Sequence, residues 1–214
     1  MLGGAIGAWV AVPRAVLAAA LAFGSGALIA AFAFELVQRP FETAGGVLVG
    51  SGLLLGVAAF VTVDALLDRW ASGGSGTALL AGVTLDGVPE NLALGTAVAS
   101  GSGGLVLLVS IFASNFPESL SGAADMRSDG RSSGGTSAIW LATAAVLVLA
   151  VLGGWLLSSV LTPRTLAAFQ AFAGGAVVAS LADTVMPEAY RQGGPWIAFA
   201  TVAGFFLSFL LTTI

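Results

Sequence analysis

The sequence predicts an all-α, polytopic transmembrane bundle of about eight helical segments, and three observations carry that expectation. Hydrophobic residues make up 57% of the chain and charged residues 8%, against about 25% charged in an ordinary soluble domain. The apolar residues fall in long continuous runs, without the alternation that barrel strands require. Thirty glycines supply small contact surfaces, which helices need where lipid offers no hydrophobic drive to hold them together.

Taken in order, Leu2 to Val12 is an apolar run of about 11 residues closed by Pro13 and Arg14. A span needs roughly 20 residues at 1.5 Å rise each, so this run reads as a half-length helix. Ala15 to Phe34 is uncharged and long enough to cross, ending at Glu35 and a turn at Arg39-Pro40. Gly45 to Val63 crosses next and continues into Asp64, Asp68 and Arg69, before a Ser/Gly connector at 72–76. Thr77 to about Ser100 forms a fourth segment, Gly101 to Gly104 a tight turn, and Leu105 to about Met126 a fifth. Arg127 to Gly135 is the one hydrophilic loop of a single domain over 1–214. Ser137 to Leu161 is the most uniformly apolar span and ends at Pro163-Arg164. Thr165 to Tyr190 follows, and after a Gly193-Gly194-Pro195 turn the last span runs from Trp196 to Ile214.

The charges set orientation and exclude chemistry. Arg14, Arg69, Arg127, Arg131 and Arg191 fall on one side of this alternation and only Arg39 and Arg164 on the other. The positive-inside rule then makes the first side, with the 127–135 loop, cytoplasmic and places both termini outside a plasma (inner) membrane. The first apolar run lacks a basic flank, so no cleavable signal peptide is expected. The chain has no Cys and no His, which removes thiolates, imidazole ligands and the usual general base. Any binding chemistry must come from oxygen. Seven arginines and a net charge of −4 give no basic patch for nucleic acid. No organic cofactor is indicated.

Two motifs lie inside apolar segments: Asp86-Gly87-Val88-Pro89-Glu90-Asn91, and Ser114-Asn115-Phe116-Pro117-Glu118-Ser119. An ionisable side chain in mid-membrane is costly and marks a functional site by default. Asp86 and Glu90 are i and i+4, as are Ser114 and Glu118, so each pair shares a helix face, with Asn115 three residues before Glu118. Pro89 and Pro117 each remove an N–H and free the carbonyl four residues back, Leu85 and Ala113. Carboxylate, amide, hydroxyl and carbonyl oxygens together form a hard-ligand set for a divalent metal ion.

These residues resemble ZIP metal transporters. Val88-Pro89-Glu90 and Phe116-Pro117-Glu118, with polar residues four positions before each Glu, are similar to the paired signatures on that family's fourth and fifth helices, where His-Asn-x-Pro-Glu-Gly is typical. Asp68-Arg69 and Met186-Pro187-Glu188-Ala189-Tyr190 resemble its motifs at the same places, so the likeness covers nearly the whole chain except the short start. The resemblance implies transport of zinc, iron, manganese or cadmium toward the cytoplasm through a central site, by movement of one helix group against another. By position, Asp86 takes the place of the first His, Glu90 and Glu118 are the paired carboxylates, Asn115 stands where Asn or Asp is common, and Ser114 replaces a His or Gln. Gly87 stands where an Asn often contributes, and Asn91, in place of the usual Gly, returns an amide. Ser137 to Leu161 holds no acid, so a ligand that some members supply there is missing. Loss of imidazole shifts the expected preference toward harder cations and a single bound ion, although zinc also accepts carboxylates.

The remaining acids read two ways. Asp64 and Asp68 either continue the ion path or pair with Arg69, and Asp183 and Glu188 are either path ligands or interfacial charges. Asp125 and Asp129 read as loop acids, Glu35 and Glu42 as outer-surface acids, and the five Trp as packing or interface anchors. An intramembrane protease would need a His base beside its Ser or a paired-Asp signature, and neither is present, so no enzyme activity is expected. The partners expected are divalent ions and the lipid bilayer, with room for a homodimer. The alternative function is a metal sensor or structural membrane protein that does not transport.

Overall fold

A computed structural model of the chain describes residues 2–70, 75–101 and 103–213, with the backbone alone at positions 68, 70, 75–83 and 86. The described residues form helices and short connections, with no strand among them. Helix α1 (Leu2–Gly7) is followed by irregular chain to Pro13. Helix α2 (Arg14–Phe32) runs through a π-helical stretch at Ala33–Gln38 into α3 (Arg39–Ala44). Then come α4 (Gly46–Trp70), α5 (Ser75–Ser100), α6 (Gly104–Ser128) and α7 (Ser133–Val160). Helix α8 (Pro163–Ser180) passes through a second π-helical stretch at Leu181–Val185 into α9 (Met186–Gly193). A 3-10 turn at Gly194–Trp196 leads to α10 (Ile197–Thr212).

Among the described residues, five helical stretches are long and apolar enough to cross a membrane: Arg14–Ala44, Gly46–Leu67, Gly104–Ser128, Ser133–Val160 and Pro163–Thr212. Large apolar side chains cover their outward faces, as at Leu54, Leu55, Leu149, Phe199 and Phe206, where a soluble helix would be polar. These features are compatible with an integral membrane protein.

Three boundaries differ from expectation, each for a local reason. Arg39-Pro40 is not a turn. Pro40 cannot donate to Leu36, and the helix widens ahead of it, so that the Arg39 N–H reaches back five residues to the Phe34 carbonyl. The same device precedes Pro187, where the Met186 N–H bonds to the Leu181 carbonyl. The 127–135 loop shrinks to 129–132, because Ser132 caps α7 by accepting the Gly135 N–H at 3.2 Å and draws the following residues into the helix. Pro163 opens α8 instead of ending α7. Thr162 is the cap, accepting the Thr165 N–H at 3.3 Å, and proline at the first helical position loses no bond.

Four pairs of helices lie along one another: α2 with α10, α5 with α7, α4 with α8 and α1 with α6. The pairs are joined chiefly where α6 rests on α2, and α5 on α6 and α8. Within the pairs the contacts are reciprocal between glycines and facing backbone. Gly26 of α2 abuts Thr201 while Gly204 of α10 abuts Phe23; Gly56 of α4 abuts Phe172 while Gly175 of α8 abuts Leu53; Gly95 of α5 abuts Val151 while Gly154 of α7 abuts Leu92. A methyl group at any of these positions would overlap a backbone atom of the neighbouring helix. The core lies between α2, α5, α6 and α8, around Leu28, Phe32, Leu94, Leu107, Ile111 and Val177.

Gly204→Ala therefore prises α10 from α2, and overpacking of this kind costs roughly 1–3 kcal/mol. Its thermal midpoint in detergent should fall, whereas Gly50→Ala, where a Cβ meets nothing within 4 Å, should leave the midpoint unchanged or raise it slightly.

Candidate functional site

The two motifs lie at the same depth on adjoining helices. Glu90 is ten residues before the end of α5 at Ser100, and Ser114 is ten residues after the start of α6 at Gly104, so each lies about 15 Å from their shared turn. The turn is tight because Gly101 and Gly103 adopt φ of +70° and +73°, a region that other residues avoid.

The polar side chains at this depth are turned inward. Glu90 is 4% exposed, Asn91 and Asn115 are 8% exposed and Ser114 is fully buried, while Glu118 is half-buried. The Ser114 hydroxyl donates to Glu118 Oε1 at 2.5 Å, the short distance of a hydrogen bond to a carboxylate. This bond fixes one carboxylate rotamer one turn below Ser114. The Asn91 amide donates to the Gly87 carbonyl at 2.8 Å, which holds that side chain along α5. One turn toward Gly104, Ser110 and Ser208 share a hydrogen bond of 3.0 Å that ties α6 to α10.

The prolines do not both open polar cavities. Gly24 of α2 packs against α6 where Pro117 frees the Ala113 carbonyl, and a Cβ there would lie 2.6 Å from that oxygen and from the Ser114 Cα. The backbone that carries Ser114 is thus seated on a glycine. Leu85, Val88 and Pro89 line an apolar cavity of about 570 Å³ together with Phe60, Val63 and Phe172.

The other expected site residues are dispersed. Asp64 is half-buried on α4, and Asp183 is exposed in the second π-helical stretch. Glu188 forms an ion pair with Arg191 and accepts a hydrogen bond from Gln192, which favours the interfacial-charge reading for it. The side chains of Asp86 and Asp68 lie outside the described residues. Among the described residues no group of three or more Asp or Glu side chains is drawn together to hold a metal ion.

Two placements correct the sequence reading. Asp125 sits on the last turn of α6, not in a loop, and faces Arg14, Glu188, Arg191 and Gln192 around a cavity of about 420 Å³. Glu35 is 3% exposed, not an outer-surface acid, and pairs with Arg39 Nε at 2.9 Å. The i, i+4 spacing of Glu35 and Arg39 is the sequence signal for that pair. Gln170, whose amide donates to Thr96 at 3.1 Å between α8 and α5, carried no comparable signal. Of the tryptophans, Trp140 is fully buried against Gly4, while Trp9, Trp155 and Trp196 are exposed.

Fold and site together describe an all-helical chain, compatible with membrane insertion, that buries carboxylate, amide and hydroxyl groups midway along two adjoining helices. In comparison with known proteins, no family model and no curated protein matches the chain.

Ser114→Ala removes the hydrogen bond to Glu118 Oε1, and a hydrogen bond to a charged group contributes about 1.5–3 kcal/mol. A lowered unfolding midpoint in detergent is expected, while Ser51→Ala, at an exposed hydroxyl bonded within its own helix, should be near neutral.

Proposed function

We propose that the chain is a membrane carrier that moves divalent metal ions toward the cytoplasm through an oxygen-lined site midway along α5 and α6. The observation that carries this reading is the burial of Glu90, Asn91, Ser114 and Asn115 at matched depth, with Glu118 held by Ser114 beside them. Oxygen donors concentrated at one level of an apolar bundle suit a hard cation, which in turn relieves the cost of the buried charge. Asp86, one turn from Glu90, completes the proposed ligand set. The resemblance of the Pro-Glu motifs to ZIP transporters points to the same cargo.

In this reading the chain forms eight segments, the first one short, with both termini outside the plasma membrane. The clusters at the two ends agree with that path. Arg14, Asp125 and Arg191 meet at one end, while Arg39, Ser100 and Pro163 meet at the other. The set of α1, α5, α6 and α7 carries the site and moves against the set of α2, α4, α8 and α10. The site has no His, Cys or activated nucleophile, so its chemistry is ligand exchange without bond making or breaking.

The test is uptake of zinc, cadmium, manganese, iron and magnesium by purified protein in liposomes. Wild type should take up at least one, and Glu90→Ala should abolish that flux while leaving the protein folded. Unchanged flux in Glu90→Ala would remove the site. Asp86→His should shift preference from manganese toward zinc, since imidazole is the softer donor; an unaltered order would take Asp86 out of the ligand set. A folded wild type that binds metal and moves none would replace the carrier with a sensor or structural membrane protein.

A further inference from the structure

The Glu35–Arg39 ion pair stands between two cavities at the end of the bundle that carries Pro163. On one side lies a cavity of about 520 Å³ lined by Phe34, Gln38, Glu42 and Thr212. On the other is a cavity of about 160 Å³ lined by Ala97, Ser100, Leu166 and Gln170. Glu35 and Arg39 line both. The inner cavity ends at Ala97, seven residues or about 10 Å along α5 from Glu90. Between them the core residues Phe32, Ala93, Leu94, Ala173 and Val177 are packed together, so the way to Glu90 from this end is closed.

Three contacts lie at that closure. The Glu35 carboxylate, carried by the π-helical stretch after α2, lies against Gly103 at the start of α6 so closely that a Cβ on Gly103 would overlap Oε2. The positive end of α6 favours a carboxylate there. Arg39 Nε holds the same oxygen at 2.9 Å. Gln170 of α8 donates to Thr96 of α5 beside the inner cavity. The carboxylate, 3% exposed, is thus held by Arg39 and packed against Gly103 between the two cavities.

We propose that the Glu35–Arg39 pair gates access from this end to the site on α5 and α6. What the gate serves rests on the carrier reading; the closure by Glu35 does not. Breaking the pair frees the carboxylate from its place against Gly103 at the α5–α6 turn.

The chain has no cysteine, so single thiols report the gate directly. Ala97→Cys, at a position 4% exposed, is labelled in proteoliposomes with a membrane-impermeant maleimide, and the rate is referred to exposed Thr213→Cys at the same end. Losing a charge-assisted contact shifts a closed population by roughly tenfold or more, so Glu35→Gln and Arg39→Ala should each speed Ala97→Cys labelling about that much, with Arg39→Lys restoring slow labelling. Equal rates in wild type, Glu35→Gln and Arg39→Ala, all folded by thermal melting, would overturn the gate. Glu35-dependent labelling in vesicles that take up no metal would uphold the gate and sink the carrier reading alone.

Discussion

A carboxylate inside an apolar helix bundle sets the terms for the residues around it. Moving a charged carboxylate out of water costs several kcal/mol even after relaxation, far more than a single packing contact returns. Glu90 at 4% exposure is tolerable only with nearby dipoles or a cation. Asn91, Ser114, Asn115 and Glu118 gather at its level, and Pro89 and Pro117 interrupt both helices there. Where a bundle needed only stability, apolar side chains would fill this layer.

Such a layer forms only if the helices approach closely, and glycine makes that possible. Gly24 seats α2 on the Ala113–Ser114 backbone, and the reciprocal glycines of α2 and α10, α4 and α8, and α5 and α7 bring whole helices to backbone contact. The seat of α6 on α2 is as close as the packing within those pairs, and between α8 and α5 Gln170 donates to Thr96.

Much of this was legible in the sequence. Continuous apolar runs and the glycine content gave the helical character, and the positions of Pro89, Glu90, Pro117 and Glu118 gave the level at which polar side chains are buried. Boundaries were less so. The turn expected at Arg39-Pro40 failed because a helix can absorb proline by widening to an i to i−5 bond, a choice that hydrophobic pattern does not encode. Ser132 and Thr162 lengthened α7 and α8 through caps that were hidden among other small polar residues. Glu35 was misplaced because burial depends on a partner some 68 residues away, Gly103, whose missing side chain leaves room for the carboxylate. Asp125 likewise acquired Arg14 and Arg191 as neighbours only through the fold.

The central claim is that the buried oxygen layer on α5 and α6 holds a divalent cation. Equilibrium dialysis of the purified protein against radioactive manganese or zinc, with Glu90→Gln beside wild type, tests it without requiring transport. The account predicts saturable binding of about one ion per chain in wild type, a hard cation being held by several oxygen donors at a single site, and its loss in a folded Glu90→Gln. Saturable binding that Glu90→Gln leaves intact, or no saturable binding at all, would contradict it.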